Sequence, residues 1–260
     1  MLAVAAKRGK KTLTLMRRDI EALQQLSLHR AMTSSQFAAL CFHNCGYETA
    51  RKRVRKLMQH GYLGVTSRRH SQGRGRPEQL YFITETGAAA LKEKFGTAED
   101  SAISGVPHPY LKDHCLRVAE IHLAMLKAEK AGIIKELEWT AGWQLCADRN
   151  ENQSDKPDAI VRFKTKREHK KVAIIVDTGN LRQTRHWEPK LHFLLKTVPE
   201  VWIITGNTAR ILTLRKWSLP IMETYGVEPV HCIFAVCEDL VNEGMFHARW
   251  VDVHGNAVNS

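Results

Sequence analysis

The chain has 260 residues, 43% of them hydrophobic and 25% charged. That composition suits one large or two ordinary packed domains and excludes wholesale disorder. The formal charge is +12, and the whole excess lies in residues 1–96, because residues 97–260 hold equal numbers of acidic and basic side chains.

A local surplus of cations marks a polyanionic partner, usually nucleic acid, or simply a solvated basic face. Charge alone does not separate the two, so the motifs must. No apolar run reaches the length of a membrane span, and no membrane partner is expected. Met1–Ala6 is apolar and is followed by Lys7, Arg8, Lys10 and Lys11, the reverse of a secretory leader. A cytoplasmic protein with reduced thiols is expected. The six cysteines form no CxxC pair, so Cys41-Phe42-His43-Asn44-Cys45 reads as core thiols beside a turn rather than a zinc site.

Residues 1–12 read as a frayed basic arm. A first helix is expected from about Leu15 to Arg30, with Met16, Ile20, Leu23 and Leu26 on one face. Thr33-Ser34-Ser35-Gln36 has the form of a capping box and opens a short second helix that carries Phe37, Leu40 and Cys41 inward. A third helix runs from about Tyr47 to His60. Tyr47, Ala50, Val54, Leu57 and Met58 fall within one arc of it. Lys52, Arg55 and Lys56 lie opposite, Arg51 and Arg53 flank them, and Glu48 and Thr49 face outward near its start.

Leu63-Gly64-Val65 and Leu80-Tyr81-Phe82-Ile83 read as two strands. Between them lies a basic, glycine-bearing tip with Arg68, Arg69, Arg74 and Arg76. Thr84 then caps a fourth helix. Helix, helix, helix, strand, basic loop, strand, helix is the order of a winged helix-turn-helix, expected at residues 14–96. Its third helix suits a DNA major groove, and its wing arginines suit phosphates or a minor groove.

Residues 97–109 carry no periodicity and form a linker. Residues 110–260 read as a mixed α/β domain. A long helix runs from about Tyr110 to Lys130, with Leu116, Ala119, Leu123 and Leu126 on one side. Strands are expected at 134–139, 142–147, 158–163, 171–177, 201–205 and 231–236, and helices near 187–197 and 208–216. The fold class is therefore α+β.

Two carboxylates stand out here. A hairpin turning at Arg167-Glu168 places Asp158 opposite Asp177 at its open end. Paired carboxylates so placed suit a divalent cation such as Mg²⁺, with Glu120 as a further ligand and Lys190 assisting phosphodiester hydrolysis. Asp at strand ends also suits turns, and structural use is the stronger reading. His114 and His122 on the long helix, and Trp139, Trp143, Trp187, Trp202 and Trp217, read as packing residues.

The arrangement from Arg18 to Trp217 resembles the replication-relaxation family of plasmid and mobile-element proteins. The resemblance rests first on Arg18-Asp19-Ile20, Thr33-Ser34-Ser35-Gln36-Phe37 and Ala50–Leu57 with Gly61-Tyr62-Leu63. It rests also on Tyr81–Gly87, then on His114, Pro157-Asp158, Val176-Asp177-Thr178-Gly179 and Lys190-Leu191. It implies a second domain similar to the PD-(D/E)xK endonucleases, with Asp158 as the first acidic position. The acid expected two residues before Asp177 is Ile175, and the lysine expected two residues after it is Gly179.

The expected function is therefore that of a non-enzymatic, sequence-recognising DNA-binding protein of a mobile element, acting in replication, DNA transfer or transcriptional control. Its second domain is expected to be a scaffold or dimerisation module without a cofactor. A metal-dependent nuclease using Asp158, Asp177 and Lys190 is the alternative, and a protein-binding adaptor a third. The expected partners are double-stranded DNA, a second copy of the chain, and replication or transfer proteins.

Overall fold

The computed structural model describes residues 13–42, 46–68, 77–95, 104–145, 156–179 and 184–258, and of Tyr47, Arg68, Phe95, Tyr110 and residues 184–186 the backbone only. The chain divides into two compact units between Cys115 and Leu116. The division falls inside a helix that sequence reading assigned to the second domain alone. Part of the expected linker, residues 97–103, lies outside the described residues.

The first unit runs α1 (Arg17–His29), β1 (Met32–Thr33), α2 (Ser34–Cys41), α3 (Tyr47–Gln59), β2 (Leu63–Arg68), β3 (Glu78–Ile83) and α4 (Glu85–Phe95). The strands form an antiparallel sheet in the order β1-β3-β2. The order follows the expected helix, helix, helix, strand, strand, helix, with the two-residue β1 added to what periodicity revealed.

The capping box forms as read. Gln36 N donates to Thr33 Oγ1 at 3.2 Å, and Thr33 N donates to Gln36 Oε1 at 3.0 Å. Thr84 Oγ1 accepts from Gly87 N at 3.2 Å and so starts α4. Ile20, Leu23, Leu26, Phe37, Leu57, Leu80 and Ile83 close the core, while Met16 is largely exposed and stands outside it. Gly64 faces Phe82 across the β2–β3 ladder, and a Cβ there would meet the Phe82 ring at 2.2 Å. The glycine thus leaves the room that the ring fills.

The helix α5 (Pro109–Lys130) crosses the division. Its first turns belong to the first unit, where Lys112 Nζ donates to Thr66 Oγ1 and to Ser67 O, both at 3.1 Å. Nothing in the sequence pattern announces that tie.

The second unit continues with β4 (Lys135–Ala141), a 3-10 turn (Gly142–Leu145), β5 (Ala159–Lys164), β6 (His169–Asp177), α6 (Thr184–Thr197), β7 (Glu200–Thr205), α7 (Thr208–Tyr225), β8 (Cys232–Val236), α8 (Cys237–Glu243), β9 (Trp250–Val251) and β10 (Ala257–Val258). All seven strands form one sheet in the order β10-β9-β8-β7-β6-β5-β4. The β6–β7 and β7–β8 pairs are parallel and the others antiparallel. The whole chain is accordingly α+β.

Two apolar layers cover this sheet. On one face, Val118, Ile121, Met125 and Ala128 of α5 and Leu240 of α8 pack on Val161, Phe163, Ile174, Trp202 and Ile204. On the other, Trp187, Leu191 and Leu194 of α6 and Ile211, Leu214 and Ile221 of α7 pack on Ala173, Ile175, Ile203 and Phe234. The expected face of the long helix is corrected. Leu123 and Leu126 are only half-buried, because the 118–121–125–128 stripe is the one that meets the sheet.

Two further expectations change. The segment after Ala141 turns as a 3-10 helix instead of extending, since Gly142 passes so close to Pro157 O that a Cβ would lie 1.9 Å from it. The helix that begins at Thr208 continues past Lys216 through Pro220. Trp187 Nε1 donates to Ser218 Oγ at 2.9 Å, and Ser218 Oγ donates to Leu214 O at 2.8 Å, so packing at this point outweighs the proline's missing donor.

The β9–β10 connection depends on Asp252. Its Oδ1 accepts from the backbone N–H groups of His254, Gly255 and Asn256 at 2.7–2.9 Å, and Oδ2 accepts from Asn256 Nδ2 at 3.0 Å. Burial pushes this carboxyl up, but the four donors outweigh burial and hold it below its ordinary value. A carboxylate with a lowered folded-state pKa stabilises above the unfolded value and loses that contribution as pH falls through the folded one. Asp252→Ala should therefore cost about 2 kcal/mol at neutral pH. Denaturant unfolding of the variant and the parent should converge under strongly acidic conditions.

Candidate nucleic-acid interface

On α3, Ala50, Val54 and Leu57 are buried, and Met58 is half-buried. Arg51, Lys52, Arg55 and Lys56 are exposed, as are Glu48 and Thr49 near the start. Arg51 makes only a loose ion pair with Glu48, at 3.6 Å and with both side chains more than half exposed. An ion pair of that kind constrains little. The helix therefore offers four solvated cations and two polar side chains at its N-terminal end, on a backbone fixed from below.

Arg53 is different. Its guanidinium binds both carboxylate oxygens of Asp19, and its Nη2 also donates to Thr14 O at 3.1 Å. The Asp19 side chain is only 2% exposed. Asp19 Oδ2 also accepts from Met16 N at 2.7 Å and so closes the start of α1. The hydrogen bond donated to Asp19 holds the Arg53 guanidinium above its ordinary value. Sequence reading grouped Arg53 with the DNA-facing cations, and the structure turns it toward α1. Helical spacing could not show this, since 53 lies on the border between the two faces.

Of the expected wing arginines, Arg68 ends β2 opposite Glu78, with only its backbone described. Arg69, Arg74 and Arg76 lie outside the described residues, as do His43 and Cys45. Phe37, Phe42, Tyr81, Gln79, Ala50, Arg51 and Arg55 line an open groove of about 480 Å³ between α2, α3 and β3. That groove continues the exposed face of α3 toward the sheet.

In the second unit, the two expected carboxylates do not stand opposite each other. Ala159 pairs with Ile174, and Asp158 N donates to Ile174 O at 2.8 Å. The turn spans Thr165–Glu168 rather than centring on Arg167-Glu168. Thr165 N donates to Glu168 O, and the Thr165 hydroxyl accepts from the N–H groups of Arg167 and Glu168. Asp177 therefore sits two residues beyond the position opposite Asp158.

Asp158 Oδ2 accepts from Val176 N at 2.7 Å. Asp177 is buried and both its oxygens are held by Arg210 of α7, with Nη2 at 3.3 Å from Oδ1. Arg210 in turn lies over the Trp217 ring, 5.1 Å from its centre. Ile175, where the endonuclease pattern places an acid, is buried in the α6–α7 layer. Lys190 is half-buried on α6. Glu120 is half-buried on α5, and its Oε2 lies 4.0 Å from Cys237 Sγ.

Among the described residues, no three His, Cys, Asp or Glu side chains come together to hold a metal. The Asp177 oxygens already face a guanidinium, so these residues do not fit a magnesium ion. His122 stacks on Trp139 at 4.3 Å, and burial pushes its imidazole down to about 3, so it is neutral packing. The described thiols, Cys41, Cys115, Cys232 and Cys237, are buried and are not joined in disulfides. Burial raises Cys41 and Cys232 above their ordinary value. Among the described residues, no helix is long and apolar enough to cross a membrane.

The replication-relaxation family model matches residues 23–191, well over half of the sequence. The chain belongs to the replication-relaxation family. No curated protein sequence matches it. Among solved structures, it is similar to the restriction endonuclease FokI, at 14% identity and a TM-score of 0.30 over 88% of this chain. It is similar also to FokI bound to DNA, at 12% identity and a TM-score of 0.27 over 88% of this chain. The family member spans less than half of those two chains, 43% and 44%. At such scores the likeness is too slight to assign a site.

Removing one member of a buried ion pair strands the other, at a typical cost of about 3 kcal/mol. Asp19→Ala should lower the unfolding free energy of the first unit by about that amount. Thermal unfolding followed by circular dichroism checks it, with Glu21→Ala, an exposed neighbour, staying near the parent.

Proposed function

We propose that this replication-relaxation protein is a sequence-recognising, double-stranded DNA-binding protein of a plasmid or other mobile element. In that setting it acts in replication, DNA transfer or transcriptional control, with replication or transfer proteins as further partners. The observation that carries this reading is α3. Arg51, Lys52, Arg55 and Lys56 stand in solvent while Ala50, Val54 and Leu57 anchor the helix from the opposite side.

A helix of this diameter and charge suits the major groove, with its N-terminal residues nearest the base edges. Glu48 and Thr49 occupy that end, and Lys52, Arg55 and Lys56 meet phosphates. The wing cations Arg68, Arg69, Arg74 and Arg76 extend the contact to the flank. Modules of this size gain affinity by acting in pairs on two half-sites, so a homodimer through the second unit completes the proposal.

In this reading the second unit is not hydrolytic. Arg210 neutralises Asp177, and Ile175 replaces an acid. Pure protein with supercoiled DNA and Mg²⁺ or Mn²⁺ should leave the substrate intact. Nicking that disappears in Asp158→Ala and Asp177→Ala would establish the nuclease reading instead.

The binding reading is tested by salt. Lys52→Ala and Lys56→Ala should each lower the slope of log affinity against log salt by about one unit, since one phosphate contact contributes about 0.9. Glu48→Ala and Thr49→Ala should leave the slope alone and change which genomic fragments are retained. Failure to bind any duplex at low salt would move the winged helix to a protein partner.

A further inference from the structure

Residues 97–260 are electrically balanced as a whole, yet their cations are not evenly spread. The segment Lys164-Thr165-Lys166-Arg167-Glu168-His169-Lys170-Lys171 forms the closed end of the β5–β6 hairpin and holds one acid against five Lys and Arg. This end projects beyond the strand beside it. β7 begins its pairing at Glu200 opposite Val172, so residues 169–171 of β6 pair with β5 alone.

The tip is built, not loose. Thr165 Oγ1 accepts from Arg167 N at 3.2 Å and Glu168 N at 3.1 Å, and Thr165 N donates to Glu168 O at 2.9 Å. Lys166 and Arg167 are thereby fixed at the apex, both exposed.

The register then sets cations side by side. Arg162 is opposite Lys171, Lys164 is opposite His169, and on the other side Lys135 is opposite Lys164. Like charges directly opposite one another destabilise a sheet. The nearby acids relieve this only weakly. Glu138 is 3.4 Å from Arg162 and Glu136 is 4.0 Å from Lys164, with all four side chains close to half exposed or more. Exposed pairs of that kind contribute little. Lys170 faces the other way, is 14% exposed, and is satisfied by Glu200 at 3.0 Å. What remains is a ridge of the exposed cations Arg162, Lys164, Lys166, Arg167 and Lys135, which repel one another in the absence of an anion.

We propose that this hairpin tip is a second nucleic-acid contact, which binds the phosphate backbone of duplex DNA without reading sequence. Cations two residues apart on one strand face lie about 7 Å apart. A duplex presents closely spaced phosphates along its whole length, so several of these side chains can be matched at once. The proposal adds a second site to the DNA-binding reading and rests on it for the identity of the polyanion. An acidic protein segment is the competing occupant. The Thr165-closed turn and the strand spacing of the cations favour a regular backbone of phosphates over it.

The test uses the full-length chain and a short random-sequence duplex, with affinity measured across a salt series. Four proteins are compared: the parent, a hairpin variant (Lys164→Gln, Lys166→Gln, Arg167→Gln), an α3 variant (Lys52→Ala, Arg55→Ala, Lys56→Ala), and the two combined. All substituted positions are exposed, so unchanged circular dichroism and melting are expected. The hairpin variant should lose about two to three units of log–log salt slope, and the combined variant should lose the sum. A hairpin variant with the parental slope, beside an α3 variant whose slope has fallen, overturns this proposal alone and points to an acidic protein segment. The opposite pattern, an unchanged α3 variant and a weakened hairpin variant, supports the hairpin site and overturns the reading of α3.

Discussion

On α3, five cations share thirteen residues, and one of them, Arg53, is withdrawn from the exposed ridge by the buried carboxylate of Asp19. That pair ties α3 to the first turn of α1 and fixes the rotation of the helix about its own axis. With Arg53 held beneath, Lys52, Arg55 and Lys56 have one direction left to face. A buried ion pair adds little net stability compared with apolar packing, but it penalises any other arrangement heavily. Here it specifies orientation, which the proposed groove contact needs.

Much of the first unit was legible because its signals are local. Thr33 and Gln36 announce a helix start by their own chemistry, and the two faces of α3 follow from spacing alone. The two-residue β1 carries no periodicity and exists only because β3 pairs with it. The Asp19–Arg53 bond spans more than thirty positions and was hidden for the same reason. A border position on a helix wheel can turn either way, and only a partner elsewhere decides.

The second unit was legible as a class and less so in detail. Continuous apolar runs such as Val172–Val176 mark strands buried on both faces. The β5–β6 register was misplaced because Thr165, not the charged pair after it, closes the turn. That shift separates Asp158 from Asp177. Arg210, which meets Asp177, comes from a helix more than thirty residues later, and no motif connected them. The departure at Ile175 was readable, however, and the structure gives its physical counterpart. An isoleucine there belongs to the α6–α7 core, where a carboxylate would lie in an apolar layer.

The two basic hairpins of the chain are different kinds of object. The segment between Arg68 and Arg76 carries Gly73 and Gly75 in its sequence and lies mostly outside the described residues. The β5–β6 tip is closed by a threonine and holds its cations at strand spacing, suited to a regular backbone. In the proposed function, one reading helix and separate backbone contacts divide the work physically. Base edges select the place, and phosphates supply much of the affinity and its salt dependence.

The central claim is that the Lys52 side of α3 faces DNA. A photocrosslinking amino acid installed at Lys52, and a control at Glu93 on α4, would be irradiated with the retained genomic duplex. The account predicts a DNA adduct from position 52 and little from position 93. Equal or absent DNA adducts at position 52, with crosslinks going to protein instead, would contradict it.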